Sequence, residues 1–370
     1  SVIGKILKRG VLIYIVGQLI SYYPFYNIYD IAPEQIGVGR LCSILQIVGI
    51  ALTVGALVWF SNRKKAEAPD PDAKRHKAVA WTTLIVGLVL MLLPFPMLLG
   101  TPFKSFAHFR ILGVFPRIAI AFSLGALLAM WLKTYKRCII GLLVILVGYW
   151  AVTAGFGDFT MEGYVGRAID LAILGDAHMY HGEGIAFDPE GLLSTIPAIG
   201  TVLVGYMAGR LMGEGSDDIR RRILLLAAVG GLMVTLGLIL NPYFPINKKI
   251  WSSSYVLYAG GLAMQVWAVF AYFIDYRKRT HWTTFFNVFG TNALFTYCLS
   301  GLIVKTWGMT FYRIPIDGGE SRMSIYSWWF RTLKDVMPVE LASLLCALTL
   351  VVICWAIALP LYERKIYIKL

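Results

Sequence analysis

The chain has 370 residues, of which 58% are hydrophobic and 15% charged, with a formal net charge of +13 and a mean hydropathy of +0.68. A soluble domain carries roughly a quarter charged residues, so a soluble globular fold is excluded. Nucleic acid is excluded as the reason for the positive charge, because the basic residues recur in alternate loops rather than gathering on one face.

From Ser1 the chain passes through Lys5, Lys8 and Arg9 into an apolar run at about 10–26. Further runs follow at about 40–61, 78–99, 111–132, 138–155, 192–212, 222–240, 253–274, 284–308 and 341–362. About 20 apolar residues cross the hydrocarbon as a helix, which closes its own backbone hydrogen bonds. The pattern therefore predicts an all-α, polytopic membrane protein of about ten spans, in one transmembrane domain over 1–370. Basic residues cluster in 5–9, 63–77, 133–137, 220–222, 277–279 and 364–369, that is, in both termini and every second loop. Short basic loops stay in the cytoplasm, so both ends are expected inside. No cleavable leader is expected ahead of such spans. The five cysteines lie in or beside apolar runs without metal-ligand spacing, so neither a disulfide nor a metal site is expected.

The longer segments between spans differ in character. Residues 62–77, NRKKAEAPDPDAKRHK, read as a flexible cytoplasmic linker. The segment 309–340, with DGGE at 317–320 and Trp328-Trp329, reads as a turn followed by an interfacial aromatic helix.

Four sets of residues could carry chemistry. Arg110 and Arg117 bracket ILGVFP at the head of one span. An arginine two turns into an apolar helix needs a polar cavity and suits a phosphate or carboxylate. The alternatives are snorkelling to the interface and pairing with a buried carboxylate. The outer loop 167–195 gathers Asp170, Asp176, His178, Tyr180, His181, Glu183, Asp188 and Glu190. A histidine among carboxylates can serve as a general base. Within it, Asp188 is placed to cap a helix that starts at Pro189, with Glu190 in its first turn. In PINKKIWSSSYV, residues 245–256, Asn247, Lys248 and Lys249 fall on the side where positive charge is disfavoured. An anionic or hydroxyl-rich ligand accounts for them, and so do lipid phosphates. Trp251 is an interfacial anchor or a stacking platform. Last come the polar residues inside spans: Gln18, Gln46, Gln265, Asn292 and Lys305. A lysine there lies near a helix end or lines a path.

The stretches GKILKRGVLIYIVG (4–17), FRILGVFPRIAIAF (109–122), AIDLAILGDAHMYH (168–181), FDPEGLLSTIPAIGTVLVGYMAGRL (187–211), FPINKKIWSSSYV (244–256), FGTNALFTY (289–297) and YERKIYIKL (362–370) together resemble the heparan-α-glucosaminide N-acetyltransferase family and its bacterial NagX-like relatives. The likeness runs from about residue 106 to the end. It implies transfer of an acetyl group from cytoplasmic acetyl-CoA, as co-substrate, to an amino sugar beyond the membrane. It assigns Asp188, Glu190, Asn247, Lys248 and Trp251 to the acceptor, and Arg110, Arg117 and Asn292 to acetyl-CoA. The implied setting is a bacterial inner membrane. The partners are membrane lipid and an amino-sugar or glycan acceptor, with a homodimer left open; the rival reading is an amino-sugar transporter. There are two departures. The family's outer pattern resembling HAxWxGLTxxDLVFP, with its catalytic histidine, has no counterpart here, so two N-terminal family helices are expected upstream of Ser1 and His178 is the fallback base. Residues 27–105 read as a two-helix addition to the family pattern.

Overall fold

The computed structural model describes residues 1–28, 31–63, 72–213, 218–309, 312–315 and 322–368. The DGGE segment at 317–320 and half of the 62–77 linker, residues 64–71, lie outside the described residues.

Among the described residues, eight helices are long and apolar enough to cross a membrane, and nine if the bent pair Thr284–Thr291 and Ala293–Trp307 counts as one span. The further expected span corresponds to α1 (Val2–Tyr22), whose opening turns hold Lys5, Lys8 and Arg9. What remains apolar after Arg9 is shorter than a full crossing requires. The fold is otherwise all-α. Extended pairing among the described residues is limited to a two-residue antiparallel ladder, β1 (Ile314–Pro315) with β2 (Arg322–Met323), and a single antiparallel bridge between Tyr26 and Phe103.

The chain forms two compact units. The first comprises Ser1–Ser21 and Ser105–Trp282. It holds most of α1, together with α5 (Val114–Leu132), α6 (Tyr135–Phe156), α7 (Val165–Ile173), α8 (Leu192–Gly213), α9 (Ile219–Leu240) and α10 (Ser253–Ala271). Lipid tails are as apolar as leucine, so helices in a membrane associate through close packing at small residues. The pair α9 and α10 does this at Gly230 and Gly261: a Cβ on Gly261 would lie 2.6 Å from the Gly230 carbonyl oxygen. The shared core of α6, α8, α9 and α10 includes Leu146, Val204, Leu226, Val256 and Met264. The short α7 stays outside the spans, between α6 and α8.

The second unit comprises Tyr22–Lys104 and Thr283–Lys369. It contains α2 (Ile36–Arg63), α3 (Ala73–Leu92), α4 (Pro94–Leu99), α11 (Thr284–Thr291), α12 (Ala293–Trp307), α13 (Ile325–Lys334) and α14 (Val339–Glu363). Gln46, fully buried, donates to the carbonyls of Pro24 (3.0 Å) and Met91 (3.2 Å), which fastens the 23–28 turn to α2 and α3. Between α11 and α12 the axis bends by 85° at Asn292. Asn292 leaves the helical region at φ −129°, ψ 38°. Its amide then receives Ile368 N–H (2.7 Å) and donates to Ile366 O (3.0 Å). Lys305 occupies the last turn of α12, where a cation complements the helix carbonyls.

Charge placement makes the orientation testable. A cysteine at exposed His181 should react with a membrane-impermeant maleimide on intact cells, and one at exposed Lys136 only after lysis. The reverse pattern would invert the topology.

Candidate functional site

The first unit gathers five of the residues singled out in the sequence at the ends of three helices. Arg110 lies four residues before α5, and Arg117 lies in its first turn, anchored by Arg117 N–H to Gly113 O at 2.9 Å. Asp188 and Glu190 come from the turn that feeds α8. Trp251 precedes α10.

Arg110 grips Asp188 in a two-point contact, Nε to Oδ2 at 2.9 Å and Nη2 to Oδ1 at 2.6 Å. The same Nη2 also donates to Glu190 Oε2 at 2.6 Å. The other oxygen of Glu190 stands 3.5 Å from Arg117 Nη2. Arg117 Nη1 donates to the Pro189 carbonyl at 3.0 Å. Each guanidinium is also covered by an aromatic face, Arg110 by Tyr180 at 4.7 Å and Arg117 by Trp251 at 4.0 Å. Two cations and two anions thus neutralise one another in a mostly buried cluster, the arrangement in which a buried charge is tolerated. Of the alternatives open for Arg117, the geometry shows pairing with a buried carboxylate.

The local chain explains why the groups meet. The sequence places Asp188 as the cap of α8, but its oxygens are committed to Arg110. It instead accepts Glu190 N–H at 3.0 Å in a turn of its own. The orphan N–H of Leu192, at the true start of α8, is taken by Asp170 Oδ1 at 2.9 Å, 22 residues upstream. The other wall is set by Ser252, which accepts Tyr255 N–H at 3.3 Å and Asn247 N–H at 3.0 Å and donates to Pro245 O at 2.7 Å. Trp251 pays for its place with a left-handed φ of 51°, a strain of about 1–3 kcal/mol for a non-glycine residue. The gain is an indole that lies against Arg117 while its Nε1 donates to Thr201 Oγ1 at 3.1 Å.

His178 stands beside this cluster. Its Nδ1 lies 2.7 Å from Phe109 O, and its own carbonyl receives Ile111 N–H at 3.3 Å. His178 is therefore bound on both sides of Arg110, through its ring at Phe109 and through its backbone carbonyl at Ile111. A carbonyl only accepts, so Nδ1 carries the proton and Nε2 keeps a lone pair. Tyr14 supports the same segment by donating to Ile111 O at 3.2 Å, and Gln18 donates to that oxygen too.

The remaining candidates are placed otherwise. Asn247 turns its Oδ1 back to Lys249 N–H at 2.8 Å. Lys248 is exposed, while Lys249 bonds Glu183 and so ties the segment before α10 to the loop between α7 and α8. Asn292 belongs to the second unit, with its amide closed on the C-terminal tail. His181 pairs with exposed Asp176 at 3.2 Å. Asp170 stands among the loop acids in the sequence, but nothing in its spacing points to Leu192. The roles of Tyr180, Thr201 and the Glu183–Lys249 bond are not legible there either, because each acts on a partner distant in sequence.

No family model matches the chain. Among characterised proteins, it is 31% identical over 162 residues to heparan-alpha-glucosaminide N-acetyltransferase of Homo sapiens, covering 39% of this chain and 24% of that protein. It is 29% identical over 144 residues to the Mus musculus protein of the same name, covering 35% of this chain and 22% of that one. The match thus spans about a quarter of the length of the relatives. Over that portion, this multi-pass helical chain resembles the heparan-alpha-glucosaminide N-acetyltransferases.

Proposed function

We propose that the chain is a membrane-bound acetyltransferase that passes an acetyl group from cytoplasmic acetyl-CoA to a glucosamine-type amino sugar on the far side of a bacterial cell membrane. The observation that carries this reading is the cluster of two arginines, two carboxylates and an indole with His178 beside it, within a chain that resembles N-acetyltransferases. An amino sugar arrives as an ammonium. It must lose one proton before its amine attacks the thioester carbonyl and a second as the C–S bond breaks and the amide forms; the departing CoA thiolate takes up that second proton and leaves as the thiol. His178 Nε2 has the free lone pair that the first proton needs. A guanidinium has five N–H groups, so each arginine keeps donors beyond those its carboxylates take. Those donors can meet the oxyanion formed at the carbonyl or a CoA phosphate.

A second reading, an amino-sugar transporter, draws on the break between α11 and α12, since discontinuous helices build many transport sites. Proteoliposomes separate the two. With acetyl-CoA on one face and glucosamine on the other, acetyl transfer consumes thioester in step with N-acetylglucosamine formed, without net movement of free sugar. Sugar flux in the absence of acetyl-CoA, with no thioester consumed, would replace the enzyme by the transporter.

A further inference from the structure

Asp170 is 1% exposed, and its two oxygens have different surroundings. Oδ1 accepts the Leu192 N–H at 2.9 Å, while Oδ2 is buried without a hydrogen-bond partner. Oδ2 presses on Gly191, where a Cβ would lie 2.0 Å away, so only glycine lets the carboxylate reach the start of α8. The groups around it direct their hydrogen bonds elsewhere. From α6, Tyr149 spends its hydroxyl proton on Ile250 O, and Tyr164, at the head of α7, donates to Tyr149 at 2.8 Å. Asp188, from the turn, is a second acid held by Arg110. Arg167 on α7 donates to Ala186 O at 2.8 Å, and Ser194 and Thr195 on α8 donate to carbonyls of residues 189–191. Among the described residues, Asp170 is thus an acid without a counter-ion, lodged under the turn that presents Asp188 and Glu190.

We propose that Asp170 is a proton-dependent positioning residue: by holding Leu192 N–H across the bare Gly191 it sets the 188–191 turn, and gain or loss of its proton changes how that turn holds Glu190 and Pro189 O against Arg117. Burial raises its carboxyl from 3.8 to about 6, with the Leu192 N–H opposing and the negative charge of Asp188 adding to the rise. The folded protein therefore holds this proton more tightly than the unfolded chain. The contribution of Asp170 to stability is fullest at pH below 3.8, falls as pH rises, and reaches its floor above about 6.

The reporter is Trp251, 4.0 Å from Arg117, and it needs no substrate, so the result stands apart from the acetyl-transfer reading. Emission of the detergent-solubilised protein, less that of Trp251→Phe, is followed from pH 4.5 to 8 (roughly 1.5 to 2 units either side of the midpoint). We expect a transition centred near pH 6 that Asp170→Asn removes. Gly191→Ala should shift or abolish it, since the methyl group displaces Oδ2. The thermal midpoint of wild type relative to Asp170→Asn should fall between about pH 4 and 6 and then level off. A transition that persists unchanged in Asp170→Asn, or no transition in wild type, overturns the proposal. If Asp170→Asn fails to fold, infrared difference spectra of wild type decide: loss of a protonated carboxyl band near pH 6 supports it, and no such loss between pH 5 and 7 overturns it.

Discussion

Arg110→Ala should destabilise the purified protein by about 3 kcal/mol or more, the range for removing one partner of a buried ion pair. Most of the cost comes from the two anions stranded without their cation. Asp188 has no side-chain exposure and Glu190 only 11%, and each takes its closest charged hydrogen bond from Arg110 Nη2 at 2.6 Å. Arg117 cannot replace it, because its nearest approach is 3.5 Å and it reaches only Glu190. The side chain of Arg110 is 24% exposed, so water entering the vacancy softens the loss and the low end of the range applies. Denaturant unfolding in detergent measures it. A double variant, Arg110→Ala with Asp188→Asn, should recover part of the loss, because it removes one stranded charge. A single variant within about 0.5 kcal/mol of wild type would mean that the network contributes nothing measurable.

His178→Ala should lower kcat for acetyl transfer about 10²–10⁴-fold, the usual contribution of a general base. Acetyl-CoA affinity should stay unchanged, since thioester binding does not require that lone pair. His178→Gln is the structural control: its side-chain amide can still donate to Phe109 O but carries no base. If the glutamine variant restores activity, His178 only braces the segment around Arg110. If both variants lose activity together with acetyl-CoA binding, the imidazole serves the architecture of the donor site. A loss of less than about threefold in both would place the base elsewhere.

Much of the membrane architecture was legible because it is written in short-range terms. Span positions follow from runs of apolar residues, and most expected spans correspond to helices within a few residues of their expected ends, the run expected at 10–26 excepted, since α1 begins eight residues earlier. Where the count softened, the reason is also local: charged residues shorten the apolar part of α1, and Asn292 turns one expected span, 284–308, into two bent helices. The candidate residues Arg110, Arg117, Asp188, Glu190 and Trp251 were visible as polar groups that a bilayer protein carries only with cause. Their mutual pairing was not, since spacing within a segment says nothing about which helix end lies opposite.

The sequence alone therefore determined that the chain is helical, apolar enough to cross a membrane many times, and punctuated by polar groups at the ends of particular spans, because hydrophobicity and helix signals act over one or two turns. Only the tertiary structure decided that Arg110 closes on Asp188 and Glu190, that Trp251 lies against Arg117, and that α8 is capped by Asp170 rather than Asp188. These are choices among partners of similar chemistry. They are settled by which carboxylate each helix end brings within hydrogen-bond reach once the helices pack, and Gly191 opens the space for one of them. No local rule ranks an aspartate 22 residues before Leu192 above one four residues before it; the commitment of Asp188 to a buried arginine does.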